Sequence, residues 1–303
     1  MKKLDTILVA SDLSDKAEMA LLRAALLARQ TGAKLELLHV LEDLGPEVQN
    51  TLHLETPTER LRRQLIEQAR EELRRQARLV FGEEFRPTLT IETGKDFVAI
   101  IHRARKIDAD LIVVSAHGGH FVRDLFLGTT AEKVVRKGDR PVLVVKKSAE
   151  RPYEQVLAPT DFSEASRQAI RTALLLAPEA AISLLHVYRL WGAGRLTPDG
   201  MSDEGVQRNL SRLLETTNLK MRDFLRNLDP GSRKVNQHLR LGHPPALLPF
   251  VASELGADLV AMGTEGLSGL PYMLLGSVTE HVLRHAECDV LAVRPPTFCF
   301  RLP

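Results

Sequence analysis

Cysteine is nearly missing from this sequence: Cys288 and Cys299 are the only two in 303 residues. Two thiols make no disulfide framework, so a reducing compartment, the cytoplasm, is the expected location. Aromatic residues are scarce, with one Trp and three Tyr, which argues against a base-stacking platform for single-stranded nucleic acid. No run approaches the roughly 20 apolar residues that a membrane-spanning helix needs. The first apolar run, in "MKKLDTILVAS", is too short for a signal peptide and meets Asp12 at once. Charge of one sign is also lacking: 41 Lys and Arg stand against 39 Asp and Glu, a net of +2. The one basic stretch, Arg60 to Arg78, is interleaved with Glu67, Glu71 and Glu72 and follows Glu59. That mixture describes a solvated helix face, not a phosphate-tracking patch. Neither nucleic acid nor membrane is therefore expected as a partner. There is no G-x-x-x-x-G-K-[ST] loop, and no G-x-G-x-x-G follows the first strand of either half, so the Walker and dinucleotide fingerprints are absent.

What is present is a duplication. "ILVASDLSDKAEMAL" (7–21) matches "VLAPTDFSEASRQAI" (156–170), with Asp12 and Asp161 in the same place. "LELLHV" matches "ISLLHV", "ADLIVVSAHG" matches "ADLVAMGTEG", and "RPVLVVK" matches "CDVLAVR", all spaced by about 148 residues. Several matches in unbroken order mark a repeat. The polar stretch "KKSAERP" separates the copies. The expected units are residues 1–147, residues 153–295 and a short tail, 296–303.

Within each copy a continuous apolar run alternates with a helical stripe. "TILVA", "KLELLHV", "TLTIET", "DLIVVS" and "PVLVV" read as strands, the most apolar of them buried on both faces. Ala17, Ala20, Leu21, Ala24 and Ala28 form one helix face, which Ser14 can cap and Gly32 can stop. Leu61, Leu65, Ala69, Leu73 and Ala77 form another. Strand–helix alternation with buried strands predicts an α/β fold: two doubly wound parallel five-stranded sheet domains. Ligands of such sheets bind beyond the carboxyl ends of strands, where the winding reverses.

Two features fall at those ends. The first strand runs into "SDLS" or "TDFS". The fourth runs into a glycine loop, "GTEGLSGLPYMLLGS" (263–277) in the second copy and "SAHGGHFVRDLFLGT" (115–129) in the first. Ser277 with Glu280 reads as a capping box, and Thr129 with Glu132 as its twin. Bare backbone, free amides and the positive end of a helix make a phosphate site. Leu267, Leu270, Met273, Leu274 and Leu275 would pack the loop down or meet a partner chain.

The element order and the pattern G-x-x-G, nine residues, G-[ST] resemble the universal stress protein family in its tandem form, over nearly the full chain. The resemblance implies Rossmann-like domains of the adenine nucleotide alpha hydrolase-like kind, packed as an internal pseudo-dimer through "PVLVV" and "DVLAV". It implies ATP as the ligand, with magnesium as a candidate counter-ion. It assigns Asp161, Val187, Gly263, Gly266, Gly276, Ser277, Val278 and Thr279 to the nucleotide in the second copy. In the first copy the matching residues are Asp12, Val40, Ser115, Gly118, Gly128, Thr129, Thr130 and Ala131. Two departures stand out. Ser115 replaces the first glycine; if that position needs φ > 0, serine costs about 1 kcal/mol or more. Glu265 places a carboxylate inside the second loop. The second copy is therefore expected to carry most of the binding.

Each signal has a plainer reading. The glycines can serve turn geometry. Asp12 and Asp161 can hold loop amides instead of a ligand. His281 and His285, four apart with Cys288 nearby, can chelate a metal or simply face solvent, and the second suits their surroundings better. His117 and His120 flank the first loop without a partner series, and no nucleophile–base–orienter set can be assembled. The resulting expectation is a nucleotide-binding sensor or regulator with at most slow ATP hydrolysis, no metal site of its own, and protein partners the sequence does not name. A homodimer is a further expectation. The rival is a nucleotide-independent scaffold docking partners through its apolar loop segments.

Overall fold

The computed structural model describes residues 3–42, 59–82, 86–118, 127–188, 203–228, 233, 235–264, 275–295 and 298. The first copy runs β1 (Thr6–Ala10), α1 (Asp15–Thr31), β2 (Lys34–Leu41), α2 (Glu59–Phe81), β3 (Thr88–Thr93), α3 (Asp96–Lys106), β4 (Leu111–Ser115), α4 (Thr129–Lys137) and β5 (Val142–Val145). The second repeats it: β6 (Gln155–Pro159), α5 (Glu164–Leu176), β7 (Ala181–Tyr188), α6 (Asp203–Leu228), β8 (Val235–Leu241), α7 (Pro244–Glu254), β9 (Leu259–Gly263), α8 (Ser277–His285) and β10 (Asp289–Val293).

The ten strands among the described residues form one sheet in the order β3-β2-β1-β4-β5-β10-β9-β6-β7-β8. Each copy contributes five parallel strands, and β5 meets β10 antiparallel through Leu143↔Leu291 and its neighbours. These are the two strands the family resemblance places at the seam. Within a copy, β1 lies between β2 and β4. Chain connections leave β1 in opposite directions there, which opens a crevice between the carboxyl ends of β1 and β4.

The central strands are apolar on both faces because helices cover both. Ile7, Val9, Leu111, Val113, Leu143 and Val145 point to one side, with Leu21 of α1, Leu73 of α2 and Met221 of α6. Leu8, Ile112, Val114, Val142 and Val144 point to the other, with Ile101 of α3, Val134 of α4 and Val282 of α8. Each layer continues across the seam, so the copies share their cores.

Local signals work as their chemistry requires. Ser14 accepts the Ala17 N–H, and Gly32 ends α1 with φ 72° and an N–H to Ala28 O. Ser163 caps α5 in the same manner. On α2, Arg70–Glu67 and Arg75–Glu72 pairs lie on the exposed face, in accord with a solvated charge run. Phe298 is buried, with the Arg294 guanidinium 4.2 Å above its ring. Phe300 and Cys299 lie outside the described residues. No described helix is long and apolar enough to cross a membrane.

Candidate functional site

Each copy holds a cavity at its crevice. The first, about 480 Å³, is lined among the described residues by Asp12, Val40, Ser115, Gly118, Gly128, Thr129, Thr130 and Ala131, and also by His39, Glu42, Asp96 and His117. The second, about 220 Å³, is lined by Asp161, Val187, Gly263, Gly276, Ser277, Val278 and Thr279, and also by Thr160, His186 and Pro244. The chain thus brings together every candidate named from sequence except Gly266, which lies outside the described residues with Glu265. His120 lies outside as well. The larger space belongs to the copy with the imperfect loop.

One wall of each crevice is the turn after the first strand. The Ser14 N–H and hydroxyl donate to Asp12 Oδ1, at 3.1 and 2.5 Å. The Ser163 N–H donates to Asp161 Oδ1 at 3.0 Å. The capping role weighed for these aspartates is therefore real. Between each pair sits a bulky residue in left-handed backbone, Leu13 (φ 65°) and Phe162 (φ 67°). A non-glycine residue pays about 1–2 kcal/mol for that conformation, and here it recurs at matching positions of both copies. Strain of this kind gathers at ligand clamps and switch regions.

The floor is the second strand. His39 Nδ1 lies 2.8 Å from Ser11 O, and His186 Nδ1 lies 2.7 Å from Thr160 O. Each ring therefore donates to the end of the neighbouring first strand and ties the two strands together at the cavity. Burial pushes the His186 pKa down, against the Thr160 hydrogen bond and the Asp161 charge, which raise it. Both histidines stand in the repeated "LLHV", directly before Val40 and Val187.

The opposite wall is the head of the last helix, and here the structure revises the sequence reading. Ser277 is not an N-cap. Gly276 occupies that position with φ −58° and ψ 139°, and no side chain caps the helix. Gly128 does the same with φ −59° and ψ 143°. Glu280 pairs with Arg284 at 2.8 Å instead of reaching back. The glycines serve the protein's own backbone. Gly276 N–H donates to Thr264 O at 3.0 Å, and Gly128 N–H to Ala116 O at 2.7 Å. A Cβ at Gly276 would stand 3.0 Å from Thr264 O, and one at Gly128 3.2 Å from Ala116 O. The first helical bond of α8 is Glu280 N–H to Gly276 O. The N–H groups of Ser277, Val278 and Thr279 consequently have no partner within the helix.

Gly263 is also revised. Its φ is not positive; a Cβ there would stand 2.9 Å from the Ala165 backbone carbon. Glycine is required because α5 crosses the strand closely. Ser115 is tolerated because its hydroxyl turns to α1 and the loop, 3.2 Å from Lys16 O and 2.8 Å from His117 O. Thr279, buried, donates its hydroxyl to Gly263 O at 3.0 Å and so clamps α8 to β9. Leu275 is buried at the loop's end; the other loop leucines lie outside the described residues.

The histidine pair on α8 has rings stacked 3.9 Å apart, and His285 Nδ1 lies 2.8 Å from His281 O. Slight burial, then His285 and His243, push the His281 pKa down. Among the described residues no group of three His, Cys, Asp or Glu side chains is placed to hold a metal.

The sequence model described as the Universal stress protein family matches this chain twice, over residues 3–146 and 152–294. The chain belongs to the universal stress protein family. It is a tandem member. Universal stress protein E of Salmonella typhi is 25% identical over 98% of this chain and 96% of its own length. Its homolog in Haemophilus influenzae is 24% identical over 97% of this chain and 98% of its own. Among solved structures, a universal stress protein from Archaeoglobus fulgidus matches with a TM-score of 0.68 and 18% identity, covering 97% of this chain and 99% of that one. That likeness shows the same tandem α/β fold.

Proposed function

We propose that this tandem universal stress protein binds a nucleoside phosphate such as ATP, mainly in its second copy, and acts in the cytoplasm as a sensor or regulator. The observation that carries the reading is the head of α8. Gly276 is held against Thr264, which leaves the next three amides at the positive helix end beside a cavity. Asp161 is the sole carboxylate among that cavity's described lining residues. The turn holding Asp161, and Val187 on the adjacent strand, would take the nucleoside. Magnesium would neutralise phosphate charge. Occupancy would bear on the strained turn at Phe162 and on the glycine loop, and so on surfaces presented to partner proteins.

The test is direct. The purified chain is denatured and the released small molecules are separated by chromatography; ATP with and without magnesium is then titrated calorimetrically. Released nucleotide, or saturable heat that weakens in Ser277→Pro, supports the reading. Neither nucleotide nor heat would leave the nucleotide-independent scaffold.

A further inference from the structure

The two crevices differ in a carboxylate that lines one of them beside the head of the last helix. In the first copy, Asp96 is the first residue of α3. Its Oδ1 accepts the Phe97 N–H at 2.6 Å, and its Oδ2 accepts the Thr130 hydroxyl. Thr130 is the second residue of α4, so a carboxylate is fixed one side chain away from the amide-bearing helix end. It already answers the positive end of α4. Asp12, which has its counterpart in Asp161, has its Oδ2 2.8 Å from where a Cβ on Gly118 would stand, directly against the loop backbone. Glu42 lines the same cavity, with His39 and His117 as the basic side chains there. In the second copy the position of Asp96 is held by Pro244 and that of Thr130 by Val278, neither of which carries charge.

We infer that the two crevices take different ligand classes, the second a nucleoside polyphosphate and the first a nucleoside without phosphate. The inference rests on the nucleotide reading above and narrows it. A polyphosphate entering the first crevice meets the Asp96 carboxylate at short range in a partly desolvated space, where like charges repel strongly. An uncharged nucleoside meets no such cost.

The test uses the full chain and two probes, adenosine and ATP, each titrated with and without magnesium. Ser277→Pro provides a background in which the second crevice is weakened. There, adenosine should bind about tenfold or more tightly than ATP. Adding Asp96→Asn, which keeps an oxygen for Thr130, should raise the ratio of ATP to adenosine affinity about tenfold. The reciprocal Pro244→Asp in the wild-type background should lower ATP affinity at the second crevice by a similar factor; an aspartate suits the first turn of a helix, so this variant should fold. A purely structural role for Asp96 moves neither ratio, and that result overturns the inference. So does ATP binding the first crevice as tightly as adenosine, with or without magnesium. ATP bound at the second crevice with adenosine bound at neither sinks this inference alone. Wild type that binds neither probe sinks the nucleotide reading as well.

Discussion

Ser277 is the residue at which backbone chemistry can be separated from folding. It is the first residue of α8, a position where proline is tolerated because its missing N–H has no helical partner. Gly276, with φ −58° and ψ 139°, already has the extended conformation a residue before proline prefers. Ser277→Pro should therefore change stability by less than about 0.5 kcal/mol in urea unfolding, as expected away from special features. It should weaken ATP by roughly 1.5–3 kcal/mol, the range for a hydrogen bond to a charged group. Retained affinity would show that phosphate does not use this amide. Gly263 makes the opposite case. A methyl there is driven into the backbone of α5, so Gly263→Ala should cost about 1–3 kcal/mol from overpacking. Its partner Ser115 already carries a side chain, and Ser115→Ala should cost no more than about 1.5 kcal/mol for the lost hydrogen bond. Equal costs in the two variants would refute close helix approach as the reason for the glycine.

At the scale of elements, each terminal strand sends a cation across the seam to the carboxyl end of the other copy's last helix. Lys146, after β5, donates to Ala286 O at 2.5 Å, and Arg294, after β10, donates to Arg136 O. Both placements favour the negative helix end. Burial pushes the Lys146 amine down to about 8, against the nearby Cys288 and Asp289 charges. In the unfolded chain the same amine titrates at about 10.4. Between those values the unfolded chain holds a proton that the folded chain has released, so stability rises with pH through that window. Burial pushes the Cys288 thiol up to about 11; above about 9 it acts in reverse, because the unfolded thiol ionises first. The interval from about pH 8 to about pH 9 therefore belongs to Lys146. The urea midpoint of wild type should climb there relative to Lys146→Met, and parallel curves would count against a buried charged amine at the seam.

For the whole molecule, Asp289 is the knot. Its side chain is 1% exposed. It accepts from Tyr153 at 2.6 Å, Arg23 at 3.2 Å and the Lys146 N–H at 2.8 Å. These partners come from α1, the segment between the copies and the end of β5, so one carboxylate joins three parts of the fold to β10. Arg23 also stacks 3.9 Å over the Tyr153 ring. Burial and the Asp289 charge push the Tyr153 pKa well up, so its hydroxyl remains a donor. Asp289→Ala strands Arg23 in the interior and should cost about 3–5 kcal/mol. Arg23→Ala combined with Asp289→Ala should cost clearly less than the sum of the single changes. Strict additivity would mean the pair is not coupled. Nothing at the matching places of the other copy, Pro141 and Thr172, reproduces this arrangement, so the pseudo-dimer is locked from one side.

How much of this was legible beforehand depends on range. Runs such as "TILVA" and "DLIVVS", the cap at Ser14 and the stop at Gly32 act over a few residues, and sequence alone determined the strands, the helices and the duplication, while the family resemblance pointed to the residues that line the crevices. The carboxyl ends of β1 and β4 were the expected place for a ligand because winding reverses there. Tertiary structure decided what the glycines are for. Gly263 answers to Ala165 and Gly276 to Thr264 O, contacts made only when a strand end, a helix and a loop meet. It also decided that Asp96 stands beside Thr130, that Leu13 and Phe162 carry strained backbone, and that Asp289 holds the seam. Such pairings join residues distant in the chain, and chain spacing records no distance between side chains until the sheet has brought them together.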